Sequence, residues 1–137
     1  MAKVVNEMLI NGKAQIAEPI LVVENNPSVD ITAINNCETY TFNIKNYNDQ
    51  NKITEVDLKY YIEILSNLDD SINIELYQGE KEVKLNNNKT DYIQVSKDRK
   101  ENVEYKMIIT YDKNKSNSID DIMEKIQVKV HTEQVKA

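Results

Sequence analysis

Hydrophobic and polar residues alternate with a period of two along most of the chain from residue 14 onward. That period belongs to strands with one face in a core and the other in water. The longest stretch sets Val56, Leu58, Tyr60, Ile62 and Ile64 against Glu55, Asp57, Lys59, Tyr61 and Glu63. A helix would need apolar residues three and four apart, and charges occupy those positions. Val103, Tyr105, Met107, Ile109 and Tyr111 repeat the pattern, as do Tyr40, Phe42 and Ile44, and Ile126, Val128 and Val130 near the end. Shorter runs are Val29, Ile31 and Ala33, then Ile72, Ile74 and Leu76, which a tight turn at Gln78-Gly79-Glu80 joins to Val83 and Leu85. Tyr92, Ile93 and Val95 are weakly patterned, and Pro19 breaks an opening strand between Ala14, Ile16 and Ile20, Val22.

Polar segments separate these runs: Asn25 to Ser28, Asn35-Asn36, Asn46 to Asn51, Asn67 to Ser71 and Asn86 to Asn88. Eight or nine strands with short polar connections, and no long helical pattern between them, predict an all-β fold. The expected architecture is a two-layer antiparallel β-sandwich over residues 12–135, with one short helix near residues 118–124. Ser118 would cap that helix with Asp121 three residues on, and Ile119, Ile122 and Met123 would share its inner face. Residues 1–11 are read as a mobile N-terminal segment of extended chain. Val4, Met8 and Ile10 alternate in it, although Val4, Val5, Met8 and Leu9 also fit a helix, and Gly12 follows as a hinge.

Charge and composition narrow the function. The 137 residues carry a net charge of −6, and Arg99 is the only arginine among the 17 basic residues. Nucleic-acid binding is therefore not expected. No apolar run approaches the roughly 18 residues of a membrane span. One cysteine, Cys37, makes no internal disulfide and is read as a small half-buried residue. The single histidine, His131, is read as exposed or at an edge, and one His with one Cys cannot build a zinc site. Gly12 and Gly79 are the only glycines, too few for a phosphate loop, and no G-x-S-x-G elbow occurs. No catalytic residue and no cofactor are predicted.

Two features keep ligand readings open. Asp69-Asp70 and Asp120-Asp121 are read as a turn and a helix start, with calcium near Asp69, Asp112 or Asp120 as the alternative. Tyr47, Tyr60, Tyr61, Tyr77 and Tyr92 could form a stacking platform for sugar, whereas Tyr40, Tyr60, Tyr105 and Tyr111 fall on apolar faces and read as core.

Three stretches resemble the TasA/camelysin group of secreted Gram-positive proteins. The first is AKVVNEMLINGKAQIAEPI (residues 2–20), with Ala14-Gln15-Ile16-Ala17 as its telling part. The second is TYTFNIKNYN followed by DLKYYIEI, and the third is ITYD, SIDDIM and a last strand ending KVHTEQ. The resemblance covers nearly the whole chain. It implies an immunoglobulin-like or jelly-roll sandwich, secreted or at the cell surface with its signal peptide removed. Members include biofilm matrix fibre subunits. The camelysin branch is associated with peptidase activity, but this chain has neither HExxH nor a nucleophile pair, and an enzyme is not expected. The expectation is a structural or interaction protein that associates with itself or another surface protein. Its assembly strand would carry Val4, Met8 and Ile10 to a neighbour's sheet edge. The alternative is a carbohydrate- or cell-wall-binding module.

Overall fold

The computed structural model describes residues 7–10, 13–30, 37–65, 72–112 and 125–135. These residues form eleven strands and contain no helix. In chain order they are β1 (Glu7–Ile10), β2 (Lys13–Ile16), β3 (Val22–Glu24), β4 (Ser28–Asp30), β5 (Cys37–Lys45) and β6 (Leu58–Leu65). Then follow β7 (Ile72–Gln78), β8 (Lys81–Val83), β9 (Ile93–Val95), β10 (Asn102–Tyr111) and β11 (Lys125–Gln134). Nine of them build two antiparallel sheets, one ordered β3-β5-β10-β7-β8 and the other β4-β11-β6-β9. The remaining pair, β1 and β2, makes a two-stranded sheet of its own. The helix expected near residues 118–124, and Ile31 and Ala33, lie outside the described residues.

The strand order is that of a jelly roll. A jelly roll is one long hairpin folded over on itself. Its rungs here are β4 with β11, β5 with β10, β6 with β9, and β7 with β8. Pairing of β11 with β6 and of β10 with β7 then completes each sheet. Of the two sandwich types implied by the resemblance, the topology is the jelly roll and not the immunoglobulin type.

The layers meet through the alternating faces. The five-stranded sheet contributes Phe42, Ile44, Leu76, Tyr105, Met107 and Ile109, and the four-stranded sheet contributes Leu58, Tyr60, Ile62, Ile64, Ile126 and Val128. Each such side chain stabilises the fold by about 1.5–3 kcal/mol relative to an exposed one. In β6 the burial alternates without a break up to Leu65, as its sequence predicts.

Turns are set by asparagine and glycine. Gly79 (φ 62°) connects β7 to β8. Asn87 and Asn88 (φ 54° and 64°) form the centre of a two-residue turn closed by Asn86 and Lys89, which bond each other through both backbone groups at 2.8 and 3.1 Å. Asn tolerates this left-handed region better than other side chains. That turn also covers the edge of β6 beyond β9. Ile64 N–H donates to Asn88 O at 2.8 Å, and Thr90 N–H donates to Ile62 O at 2.9 Å.

At one end of the sandwich, buried Asn46 joins β5 to the segment before β10. Its amide donates to Ser96 O (2.9 Å) and Arg99 O (2.6 Å), and its Oδ1 accepts from Glu101 N–H (2.7 Å). A buried polar side chain with its donors and acceptor engaged stabilises a loop that has no core of its own.

Some local readings are corrected. The opening strand broken at Pro19 is two strands, β2 and β3, with Ile20 buried between them. Leu85 and Tyr92 lie outside β8 and β9. Cys37 is exposed rather than half-buried, because even-numbered residues of β5 face the core and Cys37 shares the outer face with Thr39 and Thr41. His131 is half-buried rather than exposed; it lies on β11 beyond the short pairing with β4, where β11 has β6 on one side only among the described residues, so the edge placement agrees with the expectation.

Candidate functional site

Of the three residues expected in an assembly strand, Met8 and Ile10 lie in β1, and Val4 lies outside the described residues. Strand β1 turns back on β2, with Met8 opposite Gln15 and Ile10 opposite Lys13. The sequence between them is Asn11-Gly12, the strongest short hairpin signal, which an emphasis on Gly12 alone overlooks. Neither β1 nor β2 is hydrogen-bonded to either layer of the sandwich as a sheet neighbour.

The sandwich has strand edges of unequal character. Strand β3 pairs with β5 over Asn43–Lys45 only, and β4 pairs with β11 over Lys125–Gln127 only. Among the described residues, no strand therefore lies along Cys37–Phe42 of β5 on that side, nor along residues 128–134 of β11. The two stretches differ in charge. On its outer face β11 carries Lys129, His131 and Glu133, and charges discourage edge pairing. On its outer face β5 carries Cys37, Thr39 and Thr41, all uncharged, and on its inner face Glu38, the one charge of the stretch, and Tyr40 are half-buried. The β5 stretch is thus the open edge with less to oppose an added strand.

The five tyrosines of the sugar platform are not brought together. Tyr60 is buried, its hydroxyl 2.6 Å from that of Tyr105 across the two layers. Tyr105 also stacks on Phe42, with ring centroids 5.5 Å apart. Tyr47 lies under Lys45 and Lys100 at 4.8 and 4.4 Å, and Tyr77 pairs with Lys106 and donates to Glu75 at 2.8 Å. Only Tyr61 and Tyr92 meet, edge to face at 5.3 Å, on the outer face of the four-stranded sheet.

Around that pair the sheet register gathers a charged cluster. Tyr61 stacks on His131, its cross-strand partner, at 4.4 Å. His131 is 2.7 Å from Glu63, which also faces Lys89 at 4.0 Å. Lys59 lies 4.4 Å over the ring of Tyr92 and pairs with Glu133 at 3.1 Å. Hydrogen bonds from Lys59 and then Tyr92 hold the Glu133 carboxyl below the usual carboxylate range, and the bond to Glu133 raises the Tyr92 hydroxyl. One face of each ring is already occupied by a neighbour, so the cluster reads as self-satisfied surface structure.

The acids resolve less. Asp112 is described, whereas Asp69, Asp70, Asp120 and Asp121 lie outside the described residues. No group of three or more His, Cys, Asp or Glu is placed to hold a metal among the described residues. No helix among them is long and apolar enough to cross a membrane. In comparisons with known proteins, no family model, curated protein or solved structure matches the chain.

Proposed function

We propose that the chain is a structural or interaction protein of the bacterial cell surface or extracellular matrix, a fibre subunit that assembles by strand addition. In this reading the N-terminal segment, residues 3–10, adds as a strand to the open edge of a neighbour's β5, and Glu7–Ile10 give up their pairing with β2 to do so. The observation that carries it is the stretch Cys37–Phe42, with Glu38 its one charge, whose side away from β10 has no strand along it among the described residues. The separate β1–β2 sheet supports it too, because β1 is hydrogen-bonded to β2 and to no strand of either layer, so its release breaks no ladder of the sandwich. An added strand gains main-chain hydrogen bonds along its length, and alternate side-chain positions set its register. The contact is head-to-tail and does not close, so repetition gives a filament. The resemblance to the TasA/camelysin group points the same way.

Deleting residues 1–11 tests the proposal. The full chain should polymerise with rising concentration, most readily at mildly acidic pH where its net negative charge falls. The truncated chain should remain folded and monomeric under the same conditions. A full chain that stays monomeric by light scattering, or a truncated chain that polymerises equally well, overturns it.

A further inference from the structure

The inner face of the open β5 stretch carries one carboxylate. Glu38 points inward beside Tyr40 and is half-buried. Its cross-strand partner on β10 is Ile109, which is fully buried. On the side away from β10 no strand lies beside it among the described residues, and no hydrogen bond or ion pair engages its carboxylate there. Burial, and then the charge of Glu38, raise the neighbouring Tyr40 hydroxyl. An inward-pointing charge on an exposed strand edge is a device that turns unsuitable partners away.

Glu38 therefore selects what is laid on the edge. An added strand sets one of its own inward side chains directly beside it. An apolar side chain in that place covers the carboxylate and removes its water without replacing the hydrogen bonds. A carboxylate only accepts, so the side chain that satisfies it is a donor. Within residues 3–10, the face that carries Val4, Met8 and Ile10 also carries Asn6, and the Asn6 amide is the one donor on that face.

The direction of the added strand follows from the ends of the stretch. Antiparallel pairing is slightly more stable per residue. Yet every antiparallel register that keeps Met8 and Ile10 on Cys37–Phe42, facing inward, drives residues 3–5 along Asn43–Lys45, where β3 already pairs. In parallel, with Asn6 beside Glu38, residues 5–10 match Cys37–Phe42 one for one and stop short of β3. We propose that Asn6 and Glu38 set the register of the fibre contact. The added strand runs parallel to the neighbour's β5, the Asn6 amide donates to the Glu38 carboxylate, and Met8 and Ile10 lie beside Tyr40 and Phe42. Met8 thereby gains a sulfur–aromatic contact. On the outer face Val5 lies beside Cys37. This inference rests on the strand-addition reading and names the residues that meet in it.

Cys37 reads the register, because it is exposed at the start of the stretch and a disulfide forms only between residues whose Cα atoms lie within about 7 Å. Full chains carrying Val5→Cys, Glu7→Cys or Asn11→Cys are polymerised under reducing conditions and then oxidised. Val5→Cys fibres should give a ladder of covalent multimers on a denaturing gel, and the other two should not. A ladder from Glu7→Cys would mean a slipped or reversed strand, and one from Asn11→Cys an antiparallel strand with Ile10 on Glu38. Either overturns the register. The polar pair is tested separately. At neutral pH Asn6→Asp should raise the concentration needed for polymerisation by about tenfold, through repulsion from Glu38, and Glu38→Gln in the same chain should restore it. An effect of Asn6→Asp that is equal with and without Glu38→Gln overturns the pairing; should Glu38→Gln fail to fold, the ladder decides. Fibres with the wrong ladder leave strand addition standing, whereas a full chain that stays monomeric removes both readings.

Discussion

Tyr60 and Tyr105 share one hydrogen bond between the layers, so their contributions are coupled. Tyr60→Phe or Tyr105→Phe alone strands the partner's hydroxyl in the core, at a cost of about 1–3 kcal/mol. The double variant removes both polar groups, so its loss should be smaller than the sum of the two. Chemical denaturation of the three variants checks this, and strict additivity would mean that the pair does not interact. The same pair gives a pH signature. Burial, above all, holds both hydroxyls above their ordinary value. An unfolded tyrosine ionises near pH 10. The contribution is therefore fully present below about pH 10 and is lost as the pH rises further, where the unfolded chain releases protons that the folded chain keeps. Melting curves from pH 8 to 11 should fall less steeply above pH 10 for the double variant than for the native chain. On β6 the two faces can be read separately. Ile62→Asp places an unpaired charge in the core and should abolish folding. Sequence alternation alone predicts that Glu63→Ala costs within about 0.5 kcal/mol, as surface changes do. The structure raises that expectation to about 1 kcal/mol, because Glu63 bonds His131. Far-UV circular dichroism and melting of both variants decide the register.

At the scale of elements, the long strands were legible because each has a wet face and a dry face. β6 and β10 follow the alternation seen in sequence, and Gly79 marks their neighbouring hairpin. Short strands were not so legible. β3, β4, β8 and β9 have three residues each, too few for a period to declare itself. Their existence depends on a longer partner offering an edge. The β1–β2 pairing was written in Asn11-Gly12, a turn signal stronger than the alternation of Val4, Met8 and Ile10. At this scale Cys37 becomes a probe of the proposed assembly, since it is exposed at the start of the open β5 stretch. A maleimide should label it rapidly in the monomer and markedly more slowly in fibres. Prior labelling with a bulky reagent should hinder polymerisation. Equal labelling rates in both states would place the added strand elsewhere.

For the whole molecule, the jelly roll sets a kinetic expectation. Its rungs join distant residues, as where Gln127 at the far end meets Ser28 near the start. Chain entropy must be lost before those contacts form, so such topologies fold slowly. Stopped-flow refolding should place the main phase in milliseconds to seconds, and a microsecond phase of full amplitude would contradict the topology. Circular dichroism should be dominated by strand, and a helix content of about one third, the globular average, would be inconsistent with it.

The sequence by itself determined the all-β class, the faces of the long strands, the tight turn at Gly79 and the membership of the core. Each of these follows from local alternation and turn chemistry, which neighbouring residues impose on one another. The tertiary structure alone decided which strands pair, and hence the jelly roll. It also decided which edge stays open and where the tyrosines fall. Period two tells a side chain which face it occupies but not which strand lies beside it. Tyr60 and Tyr61 show the difference: adjacent in sequence, one meets Tyr105 across the core and the other stacks on His131 outside. Those partners are brought by strands 45 and 70 residues away, and only the folded chain supplies them.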